Sequence, residues 1–107
     1  MGTYTGLVSI VLPAYNEEKA IGELIDSIHR TMDRAYQYEI VVVDDCSTDR
    51  TAEIAKAKGV RVVERAGTGG SGAARKVGIL AAKGEVIVML DADGTYSPKD
   101  IPKLLEY

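Results

Sequence analysis

Apolar residues in this chain fall into short continuous runs separated by stretches of helical periodicity. Residues 7–12 (LVSIVL) form the first run, stopped by Pro13, and residues 39–43 (EIVVV) form the second, leading into Asp44 and Asp45. Residues 60–63 (VRVV) make a shorter run before Glu64 and Arg65, and residues 85–90 (EVIVML) run into Asp91. Runs this short, rich in Val and Ile and without polar alternation, predict parallel strands covered on both faces.

The intervening stretches predict helices. From Glu17 to about Arg34, Ile21, Leu24, Ile25, Ile28 and Met32 recur at helical spacing and make one apolar stripe. Thr48 or Asp49 is suited to cap a second helix running to Lys58, with Gly59 as its stop. A third starts near Ser71 or Gly72, carries Ala74, Val77, Ile79, Leu80 and Ala81, and ends at Gly84. Ser97-Pro98-Lys99-Asp100 reads as a cap, a proline at the first helical position and an acidic capping-box partner, opening a last helix over 101–107. The order β-α-β-α-β-α-β-α, with right-handed crossovers, gives an α/β open doubly wound sheet.

Composition narrows the picture. A length of 107 residues suits one domain spanning 1–107, with a thin core. Phe and Trp are absent, so aliphatic residues and six Tyr must fill that core. The net charge of −3, without a block of Lys or Arg, argues against nucleic acid as a partner. The single Cys46 excludes an internal disulfide and a cysteine-rich metal site; a small buried residue is its plainest role. No apolar run approaches the ~20 residues that span a bilayer, and the N-terminus lacks signal-peptide features. A soluble, cytoplasmic domain is the expectation. His29, beside the apolar stripe of the first helix, reads as a half-exposed structural residue.

Ligands of open α/β sheets bind beyond the carboxyl ends of the strands. Those ends here carry Pro13-Ala14-Tyr15-Asn16-Glu17, Asp44-Asp45, Glu64-Arg65 and Asp91-Ala92-Asp93. So many carboxylates on one rim repel one another, and a divalent cation would relieve them. Hard oxygen ligands favour Mg²⁺ or Mn²⁺. In an extended segment Asp91 and Asp93 project to one side and can reach one ion, which would neutralise a diphosphate leaving group. The pair also fits a plain polar turn, with Gly94 supplying a permissive backbone. Asp44-Asp45 is similarly ambiguous between helix capping and accepting a nucleobase N–H.

Three segments together resemble the ordered motifs of family two inverting glycosyltransferases. They are Leu12-Pro13-Ala14-Tyr15-Asn16-Glu17, VVVDDCSTDRT over 41–51 and LDADGTY over 90–96. The stretch DADGTYSPKDIPKLLE is most similar to polyprenyl-phosphate sugar synthases of the dolichol-phosphate mannose synthase type. The resemblance implies a Rossmann-like GT-A fold, mostly parallel, with strand order 3-2-1-4 and helices on both faces. It implies transfer of a sugar, with inversion, from a UDP- or GDP-sugar to an acceptor such as a polyprenyl phosphate. Pro13, Ala14, Tyr15 and Glu17 would contact the nucleoside, Glu17 at the ribose. Val43 and Asp45 would line the base pocket, with Asp44 beside them. Asp91, Ala92 and Asp93 would form the metal and diphosphate site with Thr95 close by, and Arg75 would lie near the donor.

The resemblance covers only the N-terminal portion of a family member. The expectation is therefore a truncated domain that lacks its acceptor half, binds nucleotide weakly and does not turn over; any catalytic base would lie outside this chain. The longer protein would be membrane-associated. Later strands of the family pair with the fourth, so 86–90 is expected to form an exposed apolar edge and to join two copies in a homodimer.

Two other readings compete. Gly67-Thr68-Gly69-Gly70-Ser71-Gly72 matches the G-x-G-x-x-G of NAD-type dinucleotide folds. That fingerprint belongs to the first βα unit, whereas two units precede it here, and Glu64-Arg65-Ala66 intrudes after the apolar strand. A non-enzymatic receiver-like α/β module would explain adjacent acids at a strand end, but it needs later Lys and Thr strands that this sequence does not contain.

Overall fold

The computed structural model describes residues 4–66, 70–93 and 97–106. Strand β1 (Leu7–Ala14) leads to helix α1 (Ile21–Met32), β2 (Gln37–Asp45), α2 (Thr51–Ala57), β3 (Arg61–Arg65), α3 (Gly70–Ala81) and β4 (Val86–Met89). A 3₁₀ turn, Pro98–Asp100, then runs into α4 (Ile101–Leu104). The four strands form one parallel sheet in the order β3-β2-β1-β4.

Both faces of the sheet are covered, as the continuous apolar runs predict. On one face Val8, Ile10 and Leu12 of β1 and Ile40 and Val42 of β2 pack with the α1 stripe and with Ile101 and Leu105. Ile21, Ile25, Ile28 and Met32 of that stripe are fully buried, each stabilising the fold by about 1.5–3 kcal/mol relative to exposure. On the other face Val11, Val41 and Val43 meet Ala74 of α3. This second layer is tight: a Cβ added at Gly78 would lie 2.3 Å from Val11 Cγ1 and 3.2 Å from Val43 Cγ2. Glycine there lets α3 settle onto the sheet.

Several boundaries move from their predicted positions for local reasons. β1 continues through Pro13 to Ala14. Val11 turns its carbonyl toward β4, accepting from Leu90 N at 3.0 Å. Pro13, two residues on, therefore turns its nitrogen to the same side, past the end of β4, where no ladder bond is lost. β2 and β3 extend through Asp45 and Arg65, so only Ala66 separates β3 from Gly67; Glu64-Arg65 is not an intrusion after the strand. α1 starts at Ile21, after a turn closed by Ile21 N on Glu17 O at 2.9 Å. Its end comes at Met32, because Asp33 leaves the helical region at ψ 139° and Arg34 follows at a left-handed φ of 71°.

Asp49 does help start α2, its Oδ1 accepting from Thr51 N at 2.9 Å, and Gly59 follows the helix at φ 79°. The capping box at Ser97 does not form: Ser97 makes no side-chain cap bond, and Asp100 instead pairs with Lys103 at 3.7 Å. α4 stops at Leu104, and Tyr107 lies outside the described residues. On α3, Ala74 and Gly78 are buried, whereas Ile79 and Leu80 point outward, 49% and 76% exposed. His29 is half-buried, with Nδ1 against the Tyr38 hydroxyl.

Candidate active site

The carboxyl ends of β1, β2 and β4 open into a pocket of about 200 Å³. Its β1 side is made by Pro13, Ala14, Tyr15 and Glu17, and Asp45 comes from the end of β2. Asp91, Ala92 and Asp93 follow β4, and Ala74 and Arg75 of α3 close the remaining side. Nine residues singled out from the sequence are thus brought to one wall. A second hollow, about 440 Å³, lined by Tyr15, Asp45, Cys46, Thr48 and Ala66, shares Tyr15 and Asp45 with it. The two form one groove along the strand ends.

Two expected residues are not on that wall, and a third is not among the described residues. Val43 is fully buried under α3, on the sheet face that Gly78 approaches. Asp44 is 5% exposed and turns back into its own loop, its Oδ1 accepting from Ser47 N at 3.4 Å. Thr95 lies outside the described residues. Ala92 is buried at 2% exposure and anchors a turn, not an extended segment. Asp91 and Asp93 on either side of it still border the pocket.

Two loops hold the β1 and β2 ends together. Asn16 N donates to Ser47 Oγ at 2.9 Å, and Thr48 N donates to Asn16 Oδ1 at 2.8 Å. Glu17 N donates to Thr51 Oγ1 at 2.8 Å, Glu18 N to Asp49 Oδ2 at 3.2 Å and Arg50 N to Glu18 Oε2 at 3.1 Å. Tyr15 and Glu17 flank this clasp on one loop and Asp45 on the other, so their spacing is set before any ligand arrives.

The pocket is electronegative. Four carboxylates, Glu17, Asp45, Asp91 and Asp93, line it, and among the described residues Arg65 pairs with Asp45 and Arg75 with Asp91. Arg65 Nη1 donates to Asp45 Oδ1 across the Asp45↔Arg65 register, with side chains only 12% and 16% exposed. Arg75 Nη2 lies 3.3 Å from Asp91 Oδ1. Burial, and then the charges of Asp93 and Asp49, push the Glu17 carboxyl above the usual range. Among the described residues no group of three or more His, Cys, Asp or Glu is gathered into a metal cage. Two exposed carboxylates suit instead a hard divalent ion that takes its remaining ligands from phosphates and water.

Residues 9–107 match the sequence family described as Glycosyl transferase family 2. The chain belongs to glycosyl transferase family 2. This family 2 chain is 36% identical over 113 residues to the human (Homo sapiens) dolichyl-phosphate beta-glucosyltransferase, covering 94% of itself and 35% of that protein. Glucosyl-3-phosphoglycerate synthase from Mycobacterium tuberculosis, solved with Mn²⁺, UDP and glucosyl-3-phosphoglycerate, superposes with a TM-score of 0.79 at 36% identity. That match covers 94% of this chain and 40% of the other. A mannosyltransferase from Pyrobaculum calidifontis, in complex with GDP-Man and Mn²⁺, gives a TM-score of 0.77 at 31% identity, over 92% and 30% of the two chains. The GT-A fold implied by the motifs is the observed one, and the family 2 chain spans two-fifths or less of these proteins.

Residues of the groove that received no ligand role from the sequence are Ala74, Thr48 and Ala66, and Arg65, named there only as a strand end, reaches the groove's edge through Asp45. Ala74 left a signal, since it stands four residues before Gly78 on a face that must be small. Arg65 left a stronger one: it ends β3 as Asp45 ends β2, and adjacent parallel strands place such ends side by side. Cys46, expected to be buried, is exposed at the groove with φ 62°.

Proposed function

We propose that this chain is the nucleotide-sugar-binding part of an inverting glycosyltransferase acting on a UDP- or GDP-sugar with Mg²⁺ or Mn²⁺. The observation that carries the reading is the convergence of Asp91 and Asp93 with Tyr15, Glu17 and Asp45 on one electronegative groove. Asp91 and Asp93 would hold the divalent ion, which supplies charge neutralisation for the departing diphosphate. Tyr15, 56% exposed, would offer a ring face to the nucleoside with Pro13 and Ala14, and Glu17 would meet the ribose. Asp45, one oxygen of which is engaged by Arg65, keeps the other as an acceptor for a nucleobase N–H. Dolichyl phosphate in the name of a relative supports a polyprenyl phosphate as acceptor. Such a phosphate oxygen is already anionic and attacks the anomeric carbon directly, inverting it, without a general base from this chain. The 107 residues are proposed to bind nucleotide weakly and not to turn over.

Calorimetric titration of UDP and GDP with and without Mn²⁺ tests the assignment. Asp91→Asn and Asp93→Asn are each expected to weaken Mn²⁺-assisted binding at least about tenfold. Manganese-assisted affinity unchanged in both variants would overturn it.

A further inference from the structure

The cleft holds two guanidiniums in different circumstances. Arg65 is locked against Asp45 with both side chains largely buried. Arg75 reaches Asp91 Oδ1 at 3.3 Å, with side chains 49% and 55% exposed. An ion pair so exposed is screened by water and readily exchanged. The backbone beneath Arg75 is fixed by contrast, because Ala74 is 1% exposed and Gly78 presses α3 onto Val11. Only the long side chain is free to change partner.

Resting on the reading of Asp91 and Asp93 as a metal and diphosphate site, we propose that Arg75 is an exchangeable counter-ion. It neutralises Asp91 before a divalent ion arrives and transfers to the donor's diphosphate once the ion takes that carboxylate. A dication and a guanidinium repel each other at one oxygen, so metal entry expels Arg75 from Asp91. The guanidinium fork matches phosphate oxygens in geometry and charge. Since Arg75 and Asp91 line the same pocket, the released side chain stays within reach of a diphosphate there. Arg75 thus opposes the metal when nucleotide is absent and assists the nucleotide when the metal is present. Part of the coupling between the two ligands runs through this one side chain.

The two halves of the proposal have opposite signs, which makes them separable. Arg75→Gln is expected to bind Mn²⁺ alone about two- to fivefold tighter, followed by the electron paramagnetic resonance of free Mn²⁺. The same variant at saturating Mn²⁺ is expected to bind UDP or GDP about tenfold more weakly. Arg75→Lys, which keeps the charge, should stay near wild type for the metal and fall between the two for nucleotide. Circular dichroism confirms that each variant is folded. Arg75→Gln weakening both ligands, or changing neither, overturns the proposal, as does tighter metal with unchanged nucleotide affinity. Failure of the underlying site assignment looks different: Asp91→Asn and Asp93→Asn would then leave Mn²⁺ binding intact, whatever Arg75 does.

Discussion

Asn16 and Cys46 both take positive φ, 51° and 62°, one in each of the loops that meet over the ends of β1 and β2. A left-handed conformation costs an ordinary residue about 1–2 kcal/mol, and Asn tolerates it better than most. Asn16 also uses its side chain, whose Oδ1 accepts from Thr48 N and Oγ1 at 2.8 and 3.3 Å. Asn16→Ala removes both advantages and should lower stability by about 2 kcal/mol in urea unfolding. Asn16→Gly keeps the backbone freedom and should lose only about 1 kcal/mol. Both should weaken nucleotide binding, because Tyr15 and Asp45 border the loops that Asn16 ties. Equal unfolding midpoints for the two variants would show that the backbone conformation is not what Asn16 supplies. At this scale the sequence was legible for position: Asp91, Asp93 and Glu17, expected at the strand ends, do line the pocket there. It was not legible where a residue acts through a loop distant in sequence. Val43 and Asp44 illustrate the difference: the family resemblance suggested the base pocket for them, but α3 covers one and the Ser47 turn claims the other.

Among the elements, α3 shows why boundaries escape periodicity. Its pattern predicts a helix to Gly84, yet it ends at Ala81. Lys83 N donates to Glu39 Oε2 at 2.6 Å and Gly84 N to Ser9 Oγ at 2.8 Å, and Ser9 Oγ donates to the same Glu39 oxygen at 2.5 Å. These bonds pull the chain out of the helix and seat it on β1 and β2. No spacing rule reveals them, because the partners come from three separate segments. Burial alone would push the Glu39 carboxyl up. The Ser9 hydroxyl, the Lys83 N–H and the Arg61 and Lys83 charges outweigh burial and hold it below its ordinary range. The unfolded chain then binds the proton more readily than the folded one, so Glu39 stabilises the fold above its unfolded pKa. That contribution is lost as pH falls below about 4.5. Glu17 has the opposite sign: its raised pKa favours the fold below the ordinary carboxyl range, and this advantage disappears as pH climbs through the raised value. Glu39→Gln keeps an acceptor but loses the charge, and its stability should fall less steeply than wild type between pH 5 and 3. Glu39→Ala, leaving Lys83 N and the Ser9 hydroxyl without this partner, should cost about 1–3 kcal/mol at neutral pH. Parallel stability–pH curves for wild type and Glu39→Gln would sink this account.

For the whole molecule, alternating apolar runs and helical stretches were enough to give a parallel α/β sheet. The strand order β3-β2-β1-β4 needed the motifs, since periodicity says nothing about which strand lies at the centre. That order leaves β4 as an edge, paired on its β1 side through Val8↔Val86 to Val11↔Met89. An edge strand with apolar side chains is a template for another chain. Ile87 on β4 is 37% exposed, and no charged residue interrupts VIVM. The proposal that follows is a homodimer of the 107-residue chain joined along β4. Light scattering should show a mass rising with concentration toward twice that of the monomer. Ile87→Lys, which places a charge on the edge without touching the buried Val88, should shift the equilibrium to monomer while leaving the circular dichroism spectrum unchanged. A wild-type chain that stays monomeric at millimolar concentration would show that the four-residue edge is too short to recruit a partner.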